Sequence, residues 1–85
     1  MPLYYFDVVD DEQSVADEWG IELADDLEAS EQALSLLPDI ARNRLPRGDR
    51  RDISVLVRCG GGEPCFRATL IIRSEWSEPA RLPPG

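Results

Sequence analysis

The stretch "DISVLVRCGGGEPCFRATLIIR", residues 52–73, decides the fold. On both sides of the glycine-rich turn "GGGEP" at 60–64, hydrophobic side chains alternate with a period of two, which is typical of β-strands. One face of the two strands is wholly apolar and carries Ile53, Val55, Val57, Phe66, Ala68, Leu70 and Ile72. This stretch therefore predicts an antiparallel hairpin whose apolar face a helix can cover.

The N-terminal part of the chain predicts a second hairpin. Residues 3–9, "LYYFDVV", alternate in the period of a strand and are rich in aromatic and β-branched side chains. The residues that share one face of this strand are Tyr4, Phe6 and Val8. After an acidic turn at 10–14, the segment "VADEWGIEL", residues 15–23, predicts a second strand that is interrupted near Gly20, where a bulge is expected.

A helix is predicted between the two hairpins. Asp25 and Glu28 have the spacing of a capping box, and acidic residues in a first turn suit the positive end of the helix dipole. Hydrophobic positions then recur three and four residues apart, which predicts an amphipathic helix of about 18 residues. The predicted stripe consists of Leu27, Leu34, Leu37, Ile40, Ala41 and either Arg44 or Leu45.

Pro38 falls inside this helix, where a proline removes a backbone hydrogen bond and clashes with the preceding turn. Either the helix kinks at Pro38, or it stops near Leu36 and restarts with the proline in a first turn. The apolar stripe keeps its phase through this point, so a kinked but continuous helix is favoured. Arg42 lies in the predicted last turn, and Pro46 and Gly48 end the helix.

Together these elements predict an α+β fold of order β-β-α-β-β, a four-stranded antiparallel sheet with one helix packed on one face. Residues 1–73 form one small domain. Residues 74–85 are proline-rich and predict a tail of limited order, in which Trp76 is the one large side chain. Trp76 either packs locally or contacts a partner.

Two motifs give this chain a resemblance to a known bacterial family. The start resembles Pro-x-Tyr-Tyr-Phe-Asp, and the next segment resembles Asp-Glu-x-Gly-x-Glu-Leu, as in the domain of unknown function 6894 family. The matching residues here are Pro2, Tyr4, Tyr5, Phe6, Asp7, Asp17, Glu18, Gly20, Glu22 and Leu23. The resemblance extends from residue 2 to about residue 73, but the first turn lacks the usual glycine and Pro38 interrupts the helix. That family has no established activity, so the resemblance implies a fold and no function.

Charge is distributed unevenly along the chain. The formal net charge is −8, from 17 acidic residues and nine basic residues, all of which are arginine. The part up to Ala41 carries −12 and the remainder +4. An acidic surface does not neutralise phosphates, so we expect no direct nucleic-acid partner. No apolar run approaches the roughly 20 residues that span a bilayer, and the start lacks the positive end of a signal peptide, so we expect a cytoplasmic protein.

The residues needed for most catalytic chemistry are missing. Without histidine the chain has no imidazole base or metal ligand, and residues 10–12 lack the spacing of a calcium loop. We therefore predict no catalytic residues, no metal and no cofactor. Cys59 and Cys65 flank the second turn, where a bridge is geometrically possible, but a reducing cytoplasm favours two free thiols.

The face of the sheet opposite the helix is the candidate interaction surface, because one helix covers only one face. Its predicted members are Tyr5, Asp7, Leu56, Arg58, Arg67, Ile71 and Arg73. An apolar centre within an arginine-bearing rim is how many protein interfaces are composed, although the same residues also make an ordinary pleated surface. We predict a non-enzymatic interaction module that self-associates through this face or an edge strand, for which a homodimer is one form. The alternative is an acidic inhibitor or antitoxin-like partner of a basic protein.

Overall fold

The structure is a computed structural model that describes residues 1–11, 13–43, 50–60 and 62–77. The α+β fold and the order β-β-α-β-β predicted from the sequence are confirmed, with the second predicted strand present as two short strands. In chain order the elements are β1 (Leu3–Asp10), β2 (Ser14–Val15), β3 (Ile21–Glu22), α1 (Asp26–Asn43), β4 (Arg50–Cys59) and β5 (Glu63–Arg73).

All strand pairs are antiparallel, and the sheet has the order β2-β1-β4-β5, with β3 also paired to β1. The register aligns Phe6 with Val57 and Val57 with Phe66, so their side chains share one face across three strands. The ladder between β4 and β5 is irregular beside Val57, where Arg58 pairs with Pro64 and Cys65 is the extra residue.

The prediction of one strand over residues 15–23 is wrong in part. The chain pairs with β1 only at Ser14–Val15 and again at Ile21–Glu22. Residues 16–20 leave the sheet between these contacts, so the interruption expected near Gly20 is wider than a bulge.

The core lies between α1 and the sheet, where the helix packs across β4 and β5. Its buried side chains are Tyr4, Phe6, Leu23, Ala29, Ala33, Leu37, Ile53, Val55, Val57 and Ala68. The apolar faces predicted for the hairpin strands are therefore the faces that meet the helix. Tyr4 also joins β1 to the helix start, since its hydroxyl donates to Oδ1 of Asp26 at 2.7 Å, and this bond raises the pKa of Tyr4 to about 12.

The predicted capping box is present at the start of α1. Oδ1 of Asp25 accepts from the backbone N–H of Glu28 at 2.9 Å, and Oε2 of Glu28 accepts from the backbone N–H of Ala24 at 3.1 Å. The helix continues through Pro38, as predicted, and Arg42 lies in its last turn. The predicted helix end at Arg44, Leu45, Pro46 and Gly48 lies outside the described residues.

The predicted face of the helix needs correction. Leu27 and Leu34 are 67% and 56% exposed, whereas Ala29 and Ala33 are buried. The stripe that meets the sheet consists of Ala29, Ala33, Leu36, Leu37, Ile40 and Ala41. Ala29 and Ala33 occupy the helix positions that face the sheet, so Leu27 and Leu34 are turned outward.

Cys59 and Cys65 form a disulfide, and the expectation of two free thiols is wrong. Their Cα atoms lie 5.9 Å apart across the end of the β4–β5 hairpin, within the usual range for a bridge. Beyond β5 the described chain continues to residue 77, and Trp76 is 56% exposed there. The rest of the predicted tail, residues 78–85, lies outside the described residues.

Candidate interaction surface

The face of the sheet that points away from α1 is called the open face here. It carries every residue of the predicted surface: Tyr5, Asp7, Leu56, Arg58, Arg67, Ile71 and Arg73. Strand alternation places them together, because Tyr5 pairs with Arg58 and Leu56 pairs with both Asp7 and Arg67. The sequence-based grouping of these residues on one face therefore agrees with the register.

Asp7 and Arg58 form a two-bond ion pair near the middle of this face. Nε of Arg58 donates to Oδ2 of Asp7 at 2.8 Å, and Nη2 donates to Oδ1 at 3.1 Å. The side chains are only 16% and 27% exposed, so water does not fully compete for the pair. The guanidinium of Arg58 holds the pKa of Asp7 below its ordinary value despite partial burial, and the carboxylate in turn raises the pKa of Arg58.

Arg58 makes two further contacts that fix its position. Its guanidinium carbon lies 4.7 Å from the centre of the Tyr5 ring, a cation–π arrangement. Nη2 also donates to the backbone oxygen of Asp17 at 2.9 Å, and the N–H of Asp17 donates to Oδ1 of Asp7 at 2.9 Å. Arg58 and Asp7 together therefore hold the backbone of Asp17 against the sheet.

The carboxylate of Asp17 organises the loop between β2 and β3. Oδ2 accepts from the backbone N–H of Phe6 at 3.1 Å, and Oδ1 accepts from the N–H groups of Trp19 at 3.0 Å and Gly20 at 3.2 Å. Partial burial acts to raise the pKa of Asp17, but these N–H donors and Arg58 outweigh it and hold the pKa below its ordinary value. The carboxylate of Asp17 thus accepts the hydrogen bond of the Phe6 N–H, for which a neighbouring strand would otherwise provide the acceptor.

Gly20 permits this loop for two separate reasons. Its φ of +76° lies in the left-handed region, which side chains rarely adopt. A Cβ atom at this position would also lie 3.0 Å from Cγ of Leu3 and 3.0 Å from Cε1 of Tyr5. The loop therefore packs directly on β1 at a point where only glycine fits without displacement.

We call Tyr5, Asp7, Asp17 and Arg58 the Asp17 cluster. Its three charged members hydrogen-bond to one another and to the backbone of β1 and of the loop, and the Tyr5 ring contacts Arg58, so the charged groups at the centre of the open face already have partners. The cluster is an anchor for the segment that crosses the outer side of β1. Three of the seven predicted surface residues, Tyr5, Asp7 and Arg58, have this internal role.

The remaining predicted residues lie toward β5, the strand at the opposite end of the sheet. Arg67, Ile71 and Arg73 are exposed, with Ile71 at 51%, while Leu56 is half-buried between β1 and β5. Thr69 lies among them, and its hydroxyl shares a 2.9 Å hydrogen bond with Ser54 of β4.

The direction of the β5 backbone groups follows from the register. The N–H of Phe6 points away from β4, toward Asp17, so in the antiparallel ladder Phe6 and Val57 form a pair without mutual backbone bonds. Val57 then bonds to Phe66 on its other side, and the alternation continues along β5. The residues of β5 whose N–H and C=O groups point outward are Arg67, Thr69, Ile71 and Arg73.

The two edges of the sheet therefore differ. The outer side of β1 is occupied by β2, by β3 and, between them, by Asp17. Within the described residues no strand pairs with the outer side of β5. Pro64 lies at an outward position near the start of β5, where its lack of an N–H costs no ladder bond. The free edge thus extends from Arg67 to Arg73.

A second exposed feature lies on the β2–β3 side. Trp19 is 86% exposed, and Val15 and Ile21 on either side of it are 48% and 42% exposed. A shallow open cavity of about 360 Å³ adjoins them and is lined by Phe6 and by residues 15–19. Since the loop is fixed by Asp17, Trp19 is presented to solvent from a defined backbone position.

The family comparison covers nearly all of this architecture. A family model described as Domain of unknown function (DUF6894) matches residues 3–71. The chain belongs to this family. Among curated proteins and among solved structures, no match was found for this DUF6894 chain. The resemblance drawn from the sequence is confirmed, and the matched range includes the whole Asp17 cluster.

Sequence reasoning on this DUF6894 domain missed the role of Asp17. A signal was present, because aspartate followed by glycine three residues later is typical of an Asx turn, but its partner Phe6 is distant in sequence. Across the described residues no three acidic or cysteine side chains are grouped as metal ligands. No helix in the described part of this domain is long and apolar enough to cross a membrane.

Proposed function

We propose that this DUF6894 domain is a non-enzymatic interaction module that self-associates through the free edge of β5. The observation that carries the proposal is the contrast between the occupied edge at β1 and the free edge at β5. An unpaired strand edge is a template for another strand, and proteins that remain monomeric usually block it. Here four residues with outward backbone groups also expose their side chains on the open face.

Several features support a specific contact over non-specific association. Ile71 gives the edge an apolar centre, and Arg67 and Arg73 flank it with positive charge in a chain of net charge −8. Net negative charge keeps copies apart in solution, so only a local complementary surface overcomes it. The polar side chains in the middle of the open face are occupied by internal bonds, which supports an interaction role over catalysis at that site.

Sedimentation velocity over a range of concentrations, at low and high salt, tests this proposal. We expect a concentration-dependent dimer that Ile71→Lys shifts to monomer, since a lysine on an edge strand opposes pairing. The matched control is Leu34→Lys, which makes the same charge change at a position of α1 that is 56% exposed. A wild-type monomer at every concentration and salt level would contradict self-association.

The second candidate is an acidic inhibitor or antitoxin-like partner of a basic protein, and the exposed Trp19 favours it. Tryptophan is enriched among residues that dominate binding energy, and exposed Glu18 and Glu22 place negative charge near it. Wild type and Trp19→Ala, used as matched baits, test this candidate. A basic protein retained at low salt by wild type and lost with Trp19→Ala would support it, and equal retention by both would contradict it.

We also propose that the protein is located in the cytoplasm, as the sequence predicts. The disulfide between Cys59 and Cys65 makes the test informative, because bridges persist mainly in oxidising compartments. Fractionation of cells that express the tagged chain should recover it with cytosolic markers. Recovery in an extracytoplasmic fraction would contradict this location.

A further inference from the structure

Side chains near the end of β5 carry information about how two copies would align. Arg67 and Ile71 lie on the open face, and extending the alternation of β5 two residues beyond its end would put Glu75 on the same face. Neither Arg67 nor Glu75 takes part in an ion pair among the described residues. On the helix side Phe66 is half-buried, and the same extension of the alternation would put Trp76, which is 56% exposed, on that side.

Symmetry limits the possible alignments of two β5 edges. In a two-fold dimer each residue i faces j of the partner while j faces i, and outward-facing residues must oppose outward-facing residues. The centres that keep at least three of the four outward-facing residues opposed to one another are Thr69, Ile71 and Leu70 between them. A centre at Leu70 places Arg67 directly opposite the partner's Arg73, which like-charge repulsion disfavours.

The other two centres differ in what they pair. With Thr69 at the centre, Arg67 faces the partner's Ile71, so a charge is set against an apolar side chain and Arg67 has no acidic residue opposite it. With Ile71 at the centre, the two Ile71 side chains meet and Arg67 faces the partner's Glu75. Opposite charges directly across an antiparallel pair are favourable, so the second alignment is better matched on the open face.

The helix side of the sheet favours the same alignment. Centring on Ile71 sets Leu70 against the partner's Ile72 and Phe66 against the partner's Trp76. Leu70, Ile72 and Phe66 are half-buried in one copy and pack at the margin of its core. A second copy in this alignment extends the apolar layer across the interface between the two β5 strands and covers the exposed side chain of Trp76.

We propose that two copies of the chain pair β5 with β5 in an antiparallel register centred on Ile71, with reciprocal ion pairs between Arg67 and the partner's Glu75. This inference rests on the proposed self-association and assigns its geometry. It accounts for four exposed side chains, Arg67, Ile71, Glu75 and Trp76, with one contact. The two sheets become one continuous sheet, and the symmetry closes the assembly at two copies.

A charge-reversal mixing experiment tests the register. Arg67→Glu and Glu75→Arg each place like charges at both joints of a homodimer, and each should raise the dimer dissociation constant about tenfold. An equimolar mixture restores opposite charges at both joints, so the heterodimer should bind within about threefold of wild type. Circular dichroism of each variant checks that it remains folded. If the mixture dimerises no better than either variant alone, the register is wrong.

Cysteine cross-linking distinguishes the alignment centred on Ile71 from the one centred on Thr69. Ile71→Cys places two thiols on the symmetry axis of the proposed dimer, and Thr69→Cys does so in the rejected one. Mild oxidation should link Ile71→Cys copies through residue 71, located by mass spectrometry, and leave Thr69→Cys largely unlinked. The reverse pattern in a protein that still dimerises would overturn the register and keep self-association. A wild-type monomer would overturn both.

Discussion

Replacing Asp17 by alanine should destabilise the fold by about 2 kcal/mol. The change removes the acceptor for the backbone N–H of Phe6, which is partly buried and lies between the two short strands on the outer side of β1. A buried donor left without a partner costs roughly 1–3 kcal/mol, and the middle of that range applies here because Asp17 is half-exposed and water can partly replace it. The bond to Trp19 adds little because it is exposed, and the partly buried bond to Gly20 keeps the estimate from falling below the middle of the range.

Urea unfolding followed by circular dichroism measures this loss. A chain of this size has a total free energy of unfolding of roughly 4–13 kcal/mol, so a loss of about 2 kcal/mol is large enough to measure. In a thermal scan the same loss should lower Tm by roughly 10 °C. The matched control is Glu18→Ala, which removes the same charge from the neighbouring exposed residue. Asp17→Asn should fall between them, since the amide offers one acceptor oxygen where the carboxylate offers two.

Hydrogen exchange locates the effect on the molecule. The amide of Phe6 should exchange slowly in wild type and in Glu18→Ala, and rapidly in Asp17→Ala. If Asp17→Ala lies within about 0.5 kcal/mol of Glu18→Ala, and the Phe6 amide keeps its protection, then Asp17 does not substitute for a strand and our account of the loop is wrong.

Three further predictions concern other parts of the structure. Gly20→Ala should destabilise the domain by about 1–3 kcal/mol more than Gly62→Ala, because both have positive φ but only Gly20 has neighbours at 3.0 Å; equal losses in urea unfolding would refute the packing argument. The pKa of Asp7 is lower in the folded state than its unfolded value of about 3.9, so the contribution of Asp7 to stability is present above that value and is lost as pH falls through the folded pKa. The free energy of unfolding in urea should therefore decrease below about pH 4. This decrease should be smaller in Asp7→Asn. Reducing the disulfide between Cys59 and Cys65, or replacing both residues by serine, should lower the free energy of unfolding by about 2 kcal/mol for so short a loop. Unfolding with and without reductant measures this loss, and an unchanged midpoint would contradict a stabilising role.

The strands of the second hairpin could be predicted because their signal is local and repeated. Ile53, Val55 and Val57 alternate with less apolar residues, and all three are fully buried against the helix. The start of the helix could be predicted in the same way, since Asp25 provides a cap that the structure retains. The grouping of residues on the open face followed from the same alternation.

The errors arise where a long-range contact overrides the local pattern. Residues 16–20 are flanked by Val15 and Ile21, which suit a strand, but Asp17 takes the place of the ladder bond and lets the chain leave the sheet. The helix face was misplaced because leucine dominates a hydrophobic pattern, while close packing on β4 and β5 selects Ala29 and Ala33. The state of Cys59 was inferred from an assumed compartment, whereas pairing with Cys65 depends on the geometry of the hairpin.

The difference between the two sheet edges is the observation that supports the proposed self-association. On the β1 side, an ion pair, a carboxylate and a glycine hold a loop in place, and the outcome is an edge closed to further strands. On the β5 side, Pro64 closes only the start, and the outward groups from Arg67 to Arg73 have no strand beside them within the described residues. A chain that needed only to avoid aggregation would gain by blocking both edges. Blocking one edge restricts strand pairing to the other, and a contact between two identical edges closes as a dimer where an unlike pair would grow into a fibre.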